Sequence, residues 1–342
     1  MVRLRSFLVA IALGATACPS GTSVETVRFE GETMGTTYLV QVSDPLSESE
    51  RIAVSRAVQE TLDEVNRTMS TYVADSEVSR FNRAAADVAI PLSIPGFEVF
   101  SEAERVSELT GGAFDVSVAP LVRLWGFGAG ASTEPQVPSD EAVAAARALV
   151  GFHHVRLSDD PPSVTKDEDG VECDLSAIAK GYGVDLVSEE LSRRGWKNFM
   201  VEVGGEVRTS GKNATGEAWR IGIEKPLPGT RALQRTLPLS GLSLATSGDY
   251  RNFYEEDGKL YSHLIDPREG RPVSHALASV SVVEDTCMRA DALASGLLVL
   301  GPEEGYQLAV REDLTALFLI RNDDGGIEER PTPSFEALFL LE

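Results

Sequence analysis

The spacing of apolar residues predicts amphipathic helices in the first half of the chain. Residues 47–69 repeat apolar side chains every three or four positions, and Ser47 and Glu50 at their start have the spacing of a capping box. The same spacing predicts further helices over residues 97–110, 138–151 and 174–194. Glycines follow the first and the last of these three, at the position where a helix commonly ends.

The second half of the chain contains mainly short apolar runs of strand length. Six of these runs are rich in β-branched and other apolar residues: 198–205, 219–226, 242–248, 261–267, 278–285 and 314–322. Asp257-Gly258 lies between two strand-like runs, as a hairpin turn would. A helical pattern returns at 287–301, and Pro302 has the place of a first helical residue. The pattern predicts helices mostly early in the chain and a mainly antiparallel sheet late, without a regular alternation of strand and helix. This order is typical of the α+β class.

Composition and charge narrow the possible partners. The chain has 342 residues, 42% of them hydrophobic, which is enough for one large domain or two small ones. Residues 128–140 predict a surface loop that separates two lobes. The formal net charge of −22 repels nucleic acid and anionic headgroups, so we expect neither as a partner. An anionic substrate would need local cations in its site.

The N-terminal segment has the pattern of an exported protein. Residues 1–17 contain two arginines, an apolar run too short to cross a bilayer, and then small residues, which is typical of a secretory signal peptide. Cys18 and the small residues at 15–17 resemble the cleavage box of bacterial lipoproteins, although an alanine stands where that box usually has leucine. We therefore expect a lipid on Cys18 that anchors the protein to a membrane, with cleavage without a lipid as the alternative. Residues 18–27 would form a tether, and 28–342 the folded domain.

Short motifs of familiar enzyme classes are missing from the sequence. It has no Walker loop, HExxH, CxxC or GxSxG, and the glycine-rich residues 126–131 do not follow a strand and open a helix as a dinucleotide-binding loop does. Four segments instead interrupt apolar runs with polar residues: 111–128, 174–185, 244–253 and 261–273. Taken singly, each has an ordinary explanation, with Asp174 as a helix cap, His263 as a surface strand residue and the glycines as turn formers.

Two predicted helices carry polar side chains that suggest chemistry. Asp174 and Lys180 lie at the predicted opening of a helix, where free backbone N–H groups and an ammonium can hold a phosphate. Asp291 and Ser295 are four residues apart and therefore share one face of an otherwise apolar helix. A buried, unpaired carboxylate costs several kcal/mol. A bound cation or a capping contact with neighbouring backbone would each remove that cost, and the residues alone leave both open.

Eight segments occur in an order that is typical of one protein family: residues 32–38, 69–82, 111–128, 174–185, 201–211, 245–253, 262–273 and 290–301. In these segments the chain resembles the FAD:protein FMN transferases of the ApbE family, which are exported flavin-handling lipoproteins. The resemblance implies a two-lobed, ApbE-like (T-fold-like) α+β domain. It also implies Mg²⁺-dependent transfer of the FMN half of FAD to a Thr or Ser hydroxyl of an exported or membrane redox protein, with release of AMP.

The resemblance further implies roles for individual residues. The Mg²⁺ ligands would be Asp291, Ser295 and the backbone carbonyl of Ala177, with the difference that the family more often has Thr where this chain has Ser295. His263 is the candidate base, because an ordinary imidazole titrates near neutrality, and Lys180 would help to neutralise the phosphate charge. Contacts with the flavin substrate are implied at Met34, Tyr72, Ala113, Phe114, Asp115, Asp174, Lys180 and Ile265.

Two other functions fit the same residues. One is Mg²⁺-dependent hydrolysis of FAD to FMN and AMP, with water in place of the acceptor hydroxyl. The other is a non-catalytic lipoprotein that binds flavin.

The two remaining cysteines each lie four residues before an implied metal ligand. If the metal brings Ala177 and Asp291 together, Cys173 and Cys287 come close as well, and an oxidising compartment would allow a disulfide between them. Two separate buried thiols are the alternative.

Overall fold

The computed structural model describes five parts of the chain: residues 26–132, 136–227, 232–249, 253–256 and 258–338. The predicted signal peptide, Cys18 and nearly all of the predicted tether lie outside the described residues. The first strand begins at Val27, one residue before the predicted start of the folded domain. No helix in the described parts is long and apolar enough to cross a membrane.

The described residues form eight α-helices: α1 (Glu48–Met69), α2 (Glu77–Arg83), α3 (Ile94–Leu109), α4 (Ala119–Leu124), α5 (Asp140–Arg147), α6 (Ala179–Arg193), α7 (Cys287–Arg311) and α8 (Pro333–Ala337). The strands within the same residues are β1 (Val27–Thr33), β2 (Thr36–Val42), β3 (Ile90–Pro91), β4 (Val155–Asp159), β5 (Pro162–Lys166), β6 (Phe199–Val203), β7 (Glu206–Ser210), β8 (Trp219–Glu224), β9 (Leu233–Leu239), β10 (Ser243–Gly248), β11 (Phe253–Glu256), β12 (Lys259–Ser262), β13 (Ile265–Asp266), β14 (Arg271–Pro272), β15 (Leu277–Glu284), β16 (Thr315–Arg321) and β17 (Ile327–Pro331).

Eight of the strands form one antiparallel sheet. Its order is β1-β2-β6-β7-β10-β15-β16-β17. The α+β class is confirmed, and six of the eight strands come from the second half of the chain, as predicted. The hairpin of β1 and β2 joins the sheet, with Tyr38 opposite Val203 and Val42 opposite Phe199.

Different elements cover the two faces of this sheet. Val40 and Val201 pack with side chains of α1 and α6 on one face. Their neighbours Leu39 and Met200 pack on the other face, against the β8–β9 hairpin and α8. Successive strand side chains alternate between faces, and here both faces are apolar, so the sheet forms the middle layer of the domain.

The predicted helices are present, with corrected starts. α1 has the predicted capping box, since the Ser47 side chain accepts from the Glu50 backbone and Glu50 accepts from the Ser47 backbone. α3 begins three residues before the prediction because Ser93 caps it and Pro95 is tolerated in a first turn. α6 begins at Ala179, not at 174, so Asp174 precedes the helix instead of opening it.

α7 divides where the sequence predicted. Gly301 interrupts its helical geometry with φ of +84°, and Pro302 follows at the start of the next turns. The predicted hairpin turn joins β11 to β12, with Gly258 at φ of +74°, while Asp257 itself lies outside the described residues.

The hypothesis of a disulfide is wrong in this structure. Cys173 and Cys287 are both free, buried thiols. Cys173 packs in the cluster that contains α3, whereas Cys287 packs in the cluster of α1, α6 and the sheet and donates its S–H to the Val207 carbonyl at 3.7 Å. The segments that carry these cysteines do meet, but their side chains enter separate parts of the core.

Candidate active site

The polar segments of the sequence converge at one end of the main sheet. The β1–β2 turn, the β6–β7 turn and the C-terminal end of β10 lie at this end, beside the first turn of α6. Together they line a cavity of about 2070 Å³. Every residue to which the sequence assigned a site role lines this cavity: Met34, Tyr72, Ala113, Phe114, Asp115, Asp174, Ala177, Lys180, His263, Ile265, Asp291 and Ser295.

A buried carboxylate of α6 fixes the start of α7. Asp185 accepts hydrogen bonds from the backbone N–H groups of Cys287 and Met288, each at 2.9 Å. These N–H groups have no acceptor within their own helix, and the N-cap residue Thr286 makes no side-chain cap. Arg208 also donates to Asp185. α7 is therefore anchored on α6 one turn before Asp291.

Asp291 makes the reciprocal contact, from α7 to the first turn of α6. Its side chain is 3% exposed, its Oδ2 accepts from the backbone N–H of Gly181 at 3.0 Å, and both its oxygens lie 3.3 Å from Lys180 Nζ. A Cβ on Gly181 would lie 2.2 Å from the carbonyl oxygen of Cys287. The glycine therefore allows the two helices to approach closely enough for the Asp291 contact.

Lys180 lies between two buried carboxylates. Its Nζ is 3.4 Å from Glu206 Oε1 as well as 3.3 Å from Asp291, and it donates to the Ser176 carbonyl at 3.2 Å. Burial disfavours the ammonium, but the two carboxylates outweigh burial and raise the pKa of Lys180 above its ordinary value. For Glu206, burial outweighs the attraction of Lys180 and raises the pKa to about 7. We call Lys180, Glu206 and Asp291 the lysine cluster.

The β6–β7 turn can pass close to this cluster only because of a glycine. Gly204 has φ of +66°, a conformation that side chains disfavour. A Cβ there would also lie 3.2 Å from Lys180 Cδ and 3.3 Å from Glu206 Oε2. Replacing Gly204 would therefore strain the turn and push against the lysine cluster.

The donor atoms around Asp291 fit Mg²⁺. Ser295 lies one turn further along α7, and its Oγ is 2.8 Å from Ser247 Oγ at the end of β10. Carboxylate, hydroxyl and backbone carbonyl oxygens are the hard ligands that Mg²⁺ prefers. Glu206 Oε2 is buried and has no hydrogen-bond partner among the described residues. With both carboxylates ionised, the lysine cluster has a net charge of −1, which favours a cation.

The protein groups alone do not complete a metal site. The described residues contain no group of three or more His, Cys, Asp or Glu side chains placed to hold a metal ion. A Mg²⁺ ion held by few protein oxygens keeps waters and binds substrate phosphates. The donor set therefore suits a metal that completes its coordination with waters and exchanges some of them for substrate phosphates.

Asp115 and Asp174, which the family resemblance assigned to flavin binding, both accept hydrogen bonds from backbone N–H groups. Asp115 accepts from the N–H and O–H of Ser117 and from the N–H of Phe152, and burial raises its pKa. Asp174 accepts from the N–H of Ser176 at 2.9 Å, in the turn before α6. Asp115 thus shapes the cavity wall, and Asp174 shapes the turn whose carbonyl contacts Lys180.

The remaining predicted residues form the wall and the rim. Met34 lies in the β1–β2 turn with φ of +47°, and Tyr72 is 77% exposed at the rim. His263 is half-buried, and its ring centroid lies 6.3 Å from that of Phe127. The buried wall residues are Ala113, Phe114 and Ile265.

Two residues of this site, Glu206 and Ser247, have no role that the sequence predicts. Glu206 lies in a segment that supported the family resemblance, but a single Glu in a strand pattern carries no signal of its own. Its place after Gly204-Gly205, which form a tight turn, was the available clue. Ser247 likewise stands in one of the eight segments, and only the fold brings it to Ser295.

Comparison with known proteins finds similar sequences and similar folds in one family. The ApbE family profile matches residues 34–318. A protein of Vibrio cholerae named FAD:protein FMN transferase is 41% identical over 97% of this chain and 98% of its own length, and one of Haemophilus influenzae with the same name is 42% identical over 93% of each. The solved structure of the flavin transferase ApbE from Vibrio cholerae superposes with a TM-score of 0.84 at 41% identity, covering 92% of this chain and 99% of that one. The apo flavinyl transferase ApbE of Pseudomonas stutzeri gives a TM-score of 0.83 at 37% identity, covering 92% and 97%.

Proposed function

The chain belongs to the ApbE family, and from this premise we propose that it transfers the FMN half of FAD to a Ser or Thr hydroxyl of an acceptor protein in a Mg²⁺-dependent reaction that releases AMP. The relatives named FAD:protein FMN transferase support the reaction class. The observation that carries the proposal is the lysine cluster beside Ser295. It places a cation, two carboxylates and a hydroxyl at the wall of a cavity large enough for a dinucleotide.

The proposed reaction breaks one P–O bond and forms another. The acceptor hydroxyl oxygen attacks the phosphorus on the riboflavin side of the pyrophosphate. The bond from that phosphorus to the bridging oxygen breaks, and AMP leaves with the bonding electron pair. The proton of the hydroxyl goes to a base. Such a step depends on alignment and on neutralisation of charge on the phosphate oxygens.

Three parts of the site would meet these needs. Lys180 would hold the pyrophosphate by its charge, and His263 would accept the hydroxyl proton. Asp291 and Ser295, with the carbonyl of Ala177, would hold Mg²⁺, which supplies further positive charge at the phosphate oxygens when bound. These cations would allow an anionic substrate to enter a protein whose formal net charge is −22.

The size of the cavity supports a second substrate. Pockets for small molecules commonly measure about 300–1,000 Å³. This cavity measures about 2070 Å³ and extends past the lysine cluster to the β8–β9 hairpin. The additional space suits an acceptor segment that must reach the flavin phosphate.

We propose that the protein works outside the cytoplasm, attached to a membrane through a lipid on Cys18. The pattern of residues 1–18 supports this location. The acceptor would then be another exported protein or a membrane redox subunit with an exposed Ser or Thr.

The test follows both products of the reaction. The protein lacking residues 1–18 is incubated with FAD and Mg²⁺, with and without a candidate acceptor, beside an Asp291→Ala variant. We expect AMP release together with the mass of FMN on the acceptor, both lost in the variant and after chelation of the metal. The acceptor is first checked with a relative that is an active transferase.

Other outcomes would replace the proposal. Release of AMP and free FMN at the same rate with and without acceptor would indicate an FAD hydrolase. FAD that stays bound and intact in both conditions would indicate a flavin-binding lipoprotein.

A further inference from the structure

The contacts of Lys180 are numerous but long. Its Nζ lies 3.3 Å from both oxygens of Asp291, 3.4 Å from Glu206 Oε1 and 3.2 Å from the Ser176 carbonyl. Charge-assisted contacts between an ammonium and a carboxylate usually measure about 2.7–2.9 Å. The ammonium is therefore shared among three acceptors and fully committed to none.

The two carboxylates differ in how much of their capacity is used. Asp291 Oδ2 accepts from both Gly181 N–H and Lys180. Glu206 receives Lys180 at one oxygen only, and its Oε2 is buried without a partner among the described residues. An ionised carboxylate accepts about four hydrogen bonds. Glu206 can therefore take more of the ammonium than it does here.

A metal on Asp291 competes with Lys180 for the same oxygens. An ammonium 3.3 Å from both carboxylate oxygens repels a divalent cation that approaches either of them. Lys180 need not leave the site to weaken this repulsion, because Glu206 Oε1 lies 3.4 Å from the same ammonium.

We propose that Glu206 is a positioning residue that pairs with the Lys180 ammonium when Mg²⁺ binds Asp291. This inference rests on the Mg²⁺ site of the proposed function and goes beyond it, since it gives a task to a residue that is not itself a metal ligand. In this exchange of partners, the Lys180 ammonium moves from Asp291 towards Glu206. It stays beside the phosphates while Asp291 becomes free for the metal.

The exchange of partners can be tested by comparing the net charge of the lysine cluster in the wild type and three variants. Counting Lys180, Glu206 and Asp291 with both carboxylates ionised, the wild type has a net charge of −1. Glu206→Gln has 0, Lys180→Met has −2, and the double variant has −1 again. The double variant thus matches the wild type in charge and lacks both the competing ammonium and its alternative partner.

The measurement is metal affinity without any turnover. Mn²⁺, an EPR-visible substitute, is titrated into each protein in the absence of FAD, and Mg²⁺ is then used to displace it. We expect Glu206→Gln to bind at least about tenfold more weakly, which is the effect of losing an outer partner of a metal site. The double variant should return to within about threefold of the wild type.

A matched control and a conservative change complete the design. Glu202→Gln removes another buried carboxylate of the same cavity, one that accepts from the Gly205 N–H, and it should leave metal affinity within about threefold. Glu206→Asp keeps the charge and should lose less affinity than Glu206→Gln. Circular dichroism shows whether each variant is folded.

Each alternative gives a different pattern. A double variant as weak as Glu206→Gln would mean that Glu206 binds the metal directly. Wild-type affinity in Glu206→Gln would mean that Lys180 does not compete with the metal. If the wild type binds neither metal and still transfers FMN in the presence of a chelator, the metal site of the proposed function fails as well. If binding is normal and transfer is absent, only the reaction is wrong.

Discussion

Asp185 of α6 and Asp291 of α7 are two buried carboxylates at the interface of these helices, and each contacts the other helix. They differ in the partners that they bind. Asp185 accepts from two backbone N–H groups of α7 and from Arg208. Asp291 accepts from one backbone N–H of α6 and otherwise contacts the ammonium of Lys180, which ends a flexible side chain. Asp185 lies outside the cavity lining, whereas Asp291 lines it.

The difference lies in the partners, since both carboxylates are almost fully buried. Backbone N–H groups at a helix start are fixed in place. A carboxylate that accepts its hydrogen bonds from them stabilises the packing of the two helices. A carboxylate whose main partner is a flexible ammonium can exchange that partner for a ligand. We therefore expect changes at Asp185 to affect mainly stability and changes at Asp291 to affect mainly chemistry.

The largest expected effect comes from Asp291→Ala. FMN transfer should fall at least about a thousandfold, equivalent to about 4 kcal/mol of transition-state stabilisation, because charge neutralisation at the phosphates is lost. The free energy of unfolding should fall by less than about 2 kcal/mol, since Lys180 keeps Glu206 and the Ser176 carbonyl. Single-turnover AMP release and urea unfolding give the two numbers. A variant that fails to fold would remove the contrast with Asp185.

Asp185→Ala should show the opposite pattern. Its loss leaves the N–H groups of Cys287 and Met288 and the guanidinium of Arg208 without their buried acceptor. The free energy of unfolding should fall by about 3–5 kcal/mol, the usual effect of breaking a buried charged pair. Transfer by the folded fraction should stay within about tenfold of wild type, because no atom of Asp185 faces the cavity. Asp185→Asn, which keeps one oxygen acceptor, should be intermediate, and a hundredfold loss of transfer without loss of stability would contradict this assignment.

The sequence predicted the starts of α1 and α6 with unequal success. The start of α1 was predictable, since its capping box lies within four residues and its apolar face repeats over many turns. The start of α6 was not, because residues 174–178 are held by contacts with distant parts of the chain, such as the N–H of Asp174 on the Val116 carbonyl. Asp185 carried no sequence signal either, since its backbone partners on α7 lie about a hundred residues away.

The site itself was predicted through family resemblance more than through pattern. The spacing of Asp291 and Ser295 gave a physical reason to look for a cation, and the fold places both at the cavity. Glu206 and Ser247 enter only through strand pairing, which brings the β6–β7 turn and the end of β10 to the same end of the sheet. Such contacts depend on register, which the local sequence does not specify.

His263→Gln tests the proposed base, which lines the cavity but does not belong to the proposed metal site. As the proposed base, His263 should contribute about a hundredfold to transfer, and its replacement should remove the decline in rate on acidification that a protonated imidazole causes. Mn²⁺ affinity should not change, because His263 is not among the proposed metal ligands. The pH profile of single-turnover transfer and a metal titration separate these effects. An unchanged pH profile would assign the proton to another group.

The smallest expected effect concerns the two cysteines, whose thiols lie in different clusters of the core. Burial raises the pKa of both thiols far above the ordinary range, so neither forms the reactive thiolate. In the protein lacking Cys18, a thiol reagent should label neither residue in the native state and both residues in denaturant, without prior reduction. Reduction should leave the free energy of unfolding unchanged. Thiols that appear only after reduction would instead show a bridge between the segments of Ala177 and Asp291, and the metal-binding end of α7 would then depend on a covalent link as well as on Asp185.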